Sequence, residues 1–494
     1  MKTAINIDGK TYAHLSSRRS VAAMRGVFWS TINAVVPTLS SSIVFIISSR
    51  YLMPTDFGLV ALAGSLAALA SAFAPGAFGE ALVQRSSLDK SHLDSVFWLC
   101  MVSAAILYAL IIIFSGPIAR FVDQPGIVGL LPLLGSRVLF DLGAAVPNAL
   151  ISRTMSFGLI AMRTTLAASL SGVVCVCMLV MGYGLWALAV SQLCLSIVSC
   201  VAAFWSAGWR PGIEIRAKSL LDVGRYGLFA SGNRFLQLMS FDQIIIGALV
   251  GPAPLGVFNF AKRVFSILND VIAGALGAVS HTLLSSLQNE RDKLKDAFLL
   301  GTFASASVSF PAFVGLAAIA GDAIPLIFGS HWSEAIAPIQ VFCSIGLLSC
   351  IGVLQSSLIN SQGKTDWWFC YQLVAQMLNI LLVIVFYRYG ILAVVSAIAI
   401  KTFAIWPVSV AMTVKTLDIP ATTYLRQFVS PTCAVALMLI SVILVNRYLG
   451  DASFSIRAAG EVIVAGLVYS AALASMSHSR LRYVFSLIKS RGRS

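Results

Sequence analysis

Charge is scarce in this chain. Asp, Glu, Lys and Arg make up only 11% of its 494 residues, and acids are the scarcer sign, 20 against 34. No Gly-x-x-x-x-Gly-Lys-Ser/Thr is present, so the chain does not hydrolyse ATP at a P-loop. His-Glu-x-x-His, Gly-x-Ser-x-Gly and Asp-x-Asp are missing too, and the histidines (14, 92, 281, 331 and 478) are scattered singly. Long polar segments are absent from the outward loops, where a membrane glycosyltransferase, polymerase or ligase would carry a domain or a cluster of acids and histidines. An enzyme is therefore not expected. Cysteine is present, at 100, 175, 177, 194, 200, 343, 350, 370 and 433, but always in or beside an apolar run and without histidine company. Cys175 and Cys177 point to different faces of a helix. The cysteines read as small apolar fillers, with no metal site and no cofactor expected.

Apolar residues fill the space that charge leaves. They make up 58% of the chain, and mean hydropathy is +0.88. A soluble protein of this length cannot hide that much apolar surface from water, whereas a bilayer can. The predicted fold is an all-α polytopic membrane protein of about fourteen transmembrane helices, at 27–48, 58–80, 95–115, 128–149, 161–181, 184–205, 226–249, 255–278, 298–319, 336–358, 367–386, 390–412, 428–446 and 457–477. The apolar run after the first residues is too long for a signal-peptide core, and no small-residue cleavage site closes it.

With the N-terminus placed in the cytoplasm, 24 of the 34 Lys and Arg residues fall on that side, and only Arg50, Arg120, Arg388, Arg447 and Arg457 fall outside. That asymmetry places both termini on the cytoplasmic side of the membrane. The net charge of +14 then reflects orientation and attraction to anionic membrane lipids. Cations dispersed over many short loops do not form a nucleic-acid patch.

Internal repetition divides the chain. Leu52-Met53-Pro54-Thr55-Asp56-Phe57-Gly58-Leu59 matches Val250-Gly251-Pro252-Ala253-Pro254-Leu255-Gly256-Val257. Tyr183-Gly184-Leu185 matches Tyr389-Gly390-Ile391, and more weakly Pro117-Ile118 matches Pro325-Leu326, entering the fourth and tenth spans. The offsets are 198, 206 and 208 residues. Six spans per half give both halves one orientation, related by an axis along the membrane normal, with a site expected between them. The expected organisation is a basic N-terminus (1–26), an N-lobe (27–206) and a C-lobe (226–414) in pseudo-twofold arrangement, joined by a cytoplasmic linker (207–225), then two additional helices outside the repeat (415–478) and a basic tail (479–494).

The remaining five cations lie inside predicted spans: Arg137, Arg234, Lys262, Arg263 and Lys401. Each costs roughly 2.5–3.5 kcal/mol at mid-bilayer, on the order of 10 kcal/mol together, unless it faces water or finds a partner. Intramembrane acids are fewer: Asp141, Asp242 and Asp270, with Glu80 and Glu461 nearer an interface. Spans 226–249 and 255–278 turn about Pro252, which sets Arg234 at the depth of Asp270 and Asp242 at the depth of Lys262. Two readings stand for these pairs. They are structural ion pairs stitching the hairpin, or they line a central cavity and exchange partners during transport. Asp242 and Asp270 are thus ion-coupling or structural groups, and Arg263 is left over in either reading. Asn259, Ser266 and Asn269 make a polar stripe at helical spacing that favours cavity exposure. Arg137 and Asp141, at i and i+4, can satisfy each other. Lys401 has no acid within a turn and is the better ligand candidate. A cavity richer in cations than acids suits a polyanionic head group such as a diphosphate. Thr31, Asn33, Ser40, Ser41, Ser42 and the kinking Pro37 offer sugar hydrogen bonds and a hinge, or ordinary helix packing.

The motifs Ser49-Arg50-Tyr51-Leu52-Met53-Pro54-Thr55-Asp56-Phe57-Gly58, Phe78-Gly79-Glu80-Ala81-Leu82-Val83-Gln84-Arg85, Arg153-Thr154-Met155-Ser156-Phe157 and Gly182-Tyr183-Gly184-Leu185-Trp186 occur in that order. They are followed by Phe241-Asp242-Gln243-Ile244-Ile245-Ile246-Gly247, Leu255-Gly256-Val257-Phe258-Asn259 and Phe328-Gly329-Ser330-His331-Trp332. In this order they resemble the polysaccharide transport family, the Wzx-type flippases of the multidrug/oligosaccharidyl-lipid/polysaccharide exporter superfamily. Within it the chain is similar to rhizobial exopolysaccharide exporters of the succinoglycan type. The resemblance implies movement of an undecaprenyl-diphosphate-linked oligosaccharide to the periplasmic leaflet by alternating access, coupled to an ion gradient and working beside polysaccharide polymerase and export machinery. A cation-coupled multidrug exporter and a lipid II flippase are the alternatives within the superfamily, and a non-transporting assembly scaffold is the alternative outside it.

Overall fold

The structure is a computed structural model. It describes residues 4–7, 10–13, 36–76, 78–84, 88–154, 157–216, 240–287, 290–448 and 460–477, together with Leu220, Asp222 and Gly224. Its only strands among these are β1 (Ala4–Ile7) and β2 (Lys10–Ala13), an antiparallel pair ahead of an otherwise helical chain. Ten helices among the described residues are long and apolar enough to cross a membrane, or eleven if one bent pair is a single span. The chain is a membrane protein. Fourteen were expected. Of the other three, 27–48 and 226–249 run into residues outside the described set, and 255–278 lies within a 35-residue helix bearing Lys262, Arg263 and Asp270. Two compact units divide the chain, Met1–Gly256 and Val257–Ser494.

The first unit carries α1 (36–51), α2 (Pro54–Ala72), α3 (Phe78–Gln84), α4 (Lys90–Phe121), α5 (Ile127–Gly135), α6 (Arg137–Gly143), α7 (Ala145–Arg153), α8 (Phe157–Val180), α9 (Leu185–Ala207) and α10 (Phe241–Leu249). The start of α2 shows how a motif becomes structure. Pro54 occupies the first turn, where its missing N–H costs nothing. Asp56 in that turn accepts the Met53 N–H at 3.0 Å. Gly184, ahead of α9, takes a positive φ of 56°, which glycine adopts without a steric penalty.

The expected span 128–149 is broken. α5 and α6 run on nearly as one helix, and α7 departs from them at 40°. Pro147, two residues into α7, has no N–H to offer the Gly143 carbonyl and crowds it, which accounts for the break. Leu93, Val96, Phe97 and Cys100 of α4 pack against Val138, Leu142, Val146 and Leu150 of α6 and α7, with Trp209 closing the cluster.

The second unit is built from α11 (Pro252–Ser286, which begins in the first unit), α12 (Arg291–Phe328), α13 (Ile336–Ser361), α14 (Thr365–Phe386), α15 (Ile391–Leu417), α16 (Ala421–Tyr448) and α17 (Gly460–Ser477). Gly390, ahead of α15, repeats the positive φ of Gly184, at 90°. Pro117 and Pro325 also correspond, but both sit inside the ends of α4 and α12 rather than at the start of the following spans. The two additional helices are not peripheral. Val435, Met438 and Val442 of α16 and Tyr469 and Leu473 of α17 pack on Phe303 of α12, and the Tyr469 hydroxyl donates to the Ser307 carbonyl at 2.7 Å.

Candidate functional site

Arg137 starts α6 and reaches sideways. Its Nε donates to Ser196 Oγ at 3.1 Å and its Nη1 to Gln192 Oε1 at 2.8 Å. The two acceptors are one helical turn apart on α9, so one face of that helix holds the rigid guanidinium fork. The expected pairing of Arg137 with Asp141 does not form. Both sit on α6, but the guanidinium turns to α9, and Asp141 is exposed instead.

That exposure has a setting. Asp141 lines a cavity of about 400 Å³ together with Arg137, Glu80, Asn148, Ser71 and Ser152. Small residues make up much of the remaining wall: Gly64, Ala67 and Ala68 of α2, Gly79 of α3, and Ala145 and Ala149 of α7. The α6–α7 bend brings residues from both sides of the break onto this one wall. Behind it, Arg163 of α8 donates to the Asn148 Oδ1, which fixes the Asn148 side chain. Arg153, expected as a loop cation, is buried at the end of α7. It donates to the Leu82 and Val83 carbonyls at 3.0 and 3.4 Å, satisfying the C-terminal carbonyls of α3.

In the second unit, the Lys262 Nζ lies 5.5 Å from the centre of the Phe258 ring one turn before it, a cation–π contact. Arg263 follows on α11, half-buried. Asn269 does not simply face a cavity, since its Oδ1 accepts the Ser349 hydroxyl of α13 at 2.6 Å. Asp270 is exposed on α11. Lys401 of α15 is half-buried and donates to the Ala375 carbonyl of α14 at 3.4 Å. Among the described residues no carboxylate pairs with it.

Asp242 lies in the first turn of α10, where the helix dipole favours a carboxylate. Its neighbour Gln243 accepts the Ser65 hydroxyl of α2 at 2.6 Å. Arg234, and with it the expected pair to Asp270, lies outside the described residues, as do Thr31 and Asn33. Cys175 is buried while Cys177 is exposed, as opposite faces of α8 require. The sequence alone does not single out Gln192, Ser196 and Asn148, and it counts Arg163 only among the cytoplasmic loop cations. They are single polar residues in apolar helices, and nothing in their spacing links them.

A protein-family model described as polysaccharide biosynthesis protein matches residues 47–337. The chain is 24% identical over 313 residues to the succinoglycan biosynthesis transport protein ExoT of Rhizobium meliloti (strain 1021), covering 63% of each chain. It is 22% identical over 367 residues to the lipopolysaccharide biosynthesis protein WzxC of Escherichia coli (strain K12), covering 72% of this chain and 73% of that one. Among solved structures it resembles the lipid II flippase MurJ in an inward closed conformation. The TM-score is 0.71 at 15% identity, over 93% of this chain and all (100%) of that one. An inward-facing MATE family transporter of the MOP superfamily matches with a TM-score of 0.57 at 17% identity, over 78% of this chain and 98% of that one. These structural likenesses show the fold.

Proposed function

We propose a function from one premise, that the chain belongs to the polysaccharide biosynthesis protein family. It moves a lipid-linked oligosaccharide across the bacterial inner membrane, from the cytoplasmic to the periplasmic leaflet, for exopolysaccharide synthesis. The carrier is a polyprenyl diphosphate of the undecaprenyl type, and the mode is alternating access of two six-helix lobes with both termini cytoplasmic. The chain acts as a transporter, not an enzyme, beside the polymerase and export machinery that consumes its product.

The observation that carries this reading is the excess of cations over acids within the spans of a family member: Arg137, Arg234, Lys262, Arg263 and Lys401 against Asp141, Asp242 and Asp270. A drug exporter for cationic substrates would need the reverse, because buried charge is tolerated only where a partner or water meets it. Lys401 donates to a backbone carbonyl rather than to a carboxylate, an arrangement that suits an anionic ligand. Lys262 and Arg263 add two more donors suited to a diphosphate.

Two measurements test the reading. Cells lacking the protein should accumulate the lipid-linked repeat unit on the cytoplasmic leaflet. Continued delivery to the outer leaflet would overturn the assignment. Neutralising Lys262, Arg263 and Lys401 together should abolish export at normal protein level, whereas a scaffold would keep working.

A further inference from the structure

The cavity in the first unit carries no role from the charge arithmetic, yet its walls are chemically specific. At about 400 Å³ it falls within the roughly 300–1,000 Å³ typical of small-molecule sites. Its polar lining is mixed: the Glu80 and Asp141 carboxylates, the Arg137 guanidinium, the Asn148 amide and the Ser71 and Ser152 hydroxyls. Two of these groups are held in place from behind. Gln192 and Ser196 fix Arg137, and Arg163 occupies the Asn148 oxygen, so the amide NH₂ is the part of that side chain able to donate to a ligand. Because Arg137 is engaged on α9, Asp141 keeps its acceptors for whatever enters.

Charge narrows the occupant. A phosphate or diphosphate would meet the Glu80 and Asp141 carboxylates in the same lining. A small cation would meet a fixed guanidinium at its edge. An apolar molecule would desolvate the polar groups on this wall without offering hydrogen bonds in return. A neutral polyhydroxyl compound suits this mixed lining. Its hydroxyls donate to the carboxylates and its oxygens accept from the guanidinium and the amide. Gly64, Ala67, Ala68, Ala145 and Ala149 leave room for the ring.

We propose that this cavity is a carbohydrate subsite, in which Asp141, Glu80, Asn148 and Arg137 hold one or more sugar residues of the transported glycolipid. The proposal rests on the flippase reading and deepens it. The glycan and the diphosphate are recognised by different groups, with Asp141 and Asn148 setting which glycan is accepted. With cytoplasmic termini, α3 and α7 bring Gly79, Glu80, Asn148 and Ser152 of the wall to the cytoplasmic ends of their spans, where loading occurs, while Gly64 and Arg137 lie nearer mid-membrane.

The test uses the full-length protein in lipid nanodiscs and two probes: glycolipid extracted from cells lacking the protein, and polyprenyl diphosphate without sugar. Affinities are measured for wild type, Asp141→Asn and Gly64→Leu. The first variant removes a charge at constant shape. The second projects a side chain into the cavity from a position where an added Cβ meets nothing within 4 Å. Each variant should bind the glycolipid at least tenfold more weakly and the sugarless lipid as wild type does. Unchanged glycolipid affinity, or parallel loss for both probes, overturns the subsite. So does a change in sodium-ion dependence with glycolipid affinity intact, which would make the cavity a coupling-ion site. Failure of the wild type itself to bind the glycolipid would overturn the flippase reading instead.

Discussion

Asp94 is fully buried, 0% exposed, near the start of α4. It accepts the backbone N–H groups of Gly212 at 3.0 Å and Glu214 at 3.4 Å. Beside it, Ser95 Oγ accepts the Arg216 N–H at 2.9 Å, and Trp98 Nε1 donates to the Gly212 carbonyl at 2.8 Å. The chain after α9, expected only as a basic linker, is therefore strapped to α4 over 209–216. Asp94→Ala strands two backbone donors, and such a loss costs about 1–3 kcal/mol per unsatisfied group. The variant should melt several degrees lower and be nicked faster by trypsin at Arg216, whereas Arg210 is shielded by the following Pro211 in any case. Unchanged cleavage at Arg216 would show that the strap is not held by Asp94. Sequence alone leaves Asp94 inconspicuous, because a single acid near a span boundary is an ordinary residue until a distant backbone is folded against it. Arg137 is the converse. Its place inside a span is legible from hydropathy, but its partners lie 55 and 59 residues away on α9, beyond any local spacing rule.

At the scale of elements, the repeated Pro-x-x-x-Gly motifs are where sequence and structure meet most closely. Pro54–Gly58 opens α2 and Pro252–Gly256 opens α11. A side-chain carbon at Gly58 would collide with the Pro252 carbonyl oxygen, and one at Gly256 with the Pro54 carbonyl oxygen. The two copies cross backbone against backbone, each glycine receiving the other's proline, as small residues permit between membrane helices. Repetition in the sequence marks the motif, and only the fold discloses that its copies touch. Gly58→Ala or Gly256→Ala forces backbone apart, an overpacking that costs typically about 1–3 kcal/mol. Either variant should lower the melting temperature and reduce export, while Gly64→Ala, facing open space, should melt as wild type. Equal stability of all three would rule out the close crossing. The broken span is likewise half legible: Pro147 is plain in the sequence, but the cavity beside the bend requires α2 and α3 to be set against it.

At the scale of the whole molecule, the cation asymmetry makes a topological prediction. A fluorescent protein fused after Ser494 should fold and emit in the cytoplasm, and a phosphatase fused after Arg388 should be active outside. The reverse pattern would overturn the orientation and, with it, the cytoplasmic placement of the α3 and α7 wall of the cavity. The sequence by itself determined that the chain lives in a bilayer and is helical, and it marked the repeated motifs. Hydropathy, charge excess and repetition act along the chain, where they can be read in order. Tertiary structure alone decided which polar groups meet: Arg137 with α9, Arg163 with Asn148, Asp94 with the segment 209–216, and Gly58 with Pro252. The reason is physical. In an apolar helix a single polar residue carries no local pattern, and its meaning is set by whichever helix the bilayer and the packing press against it.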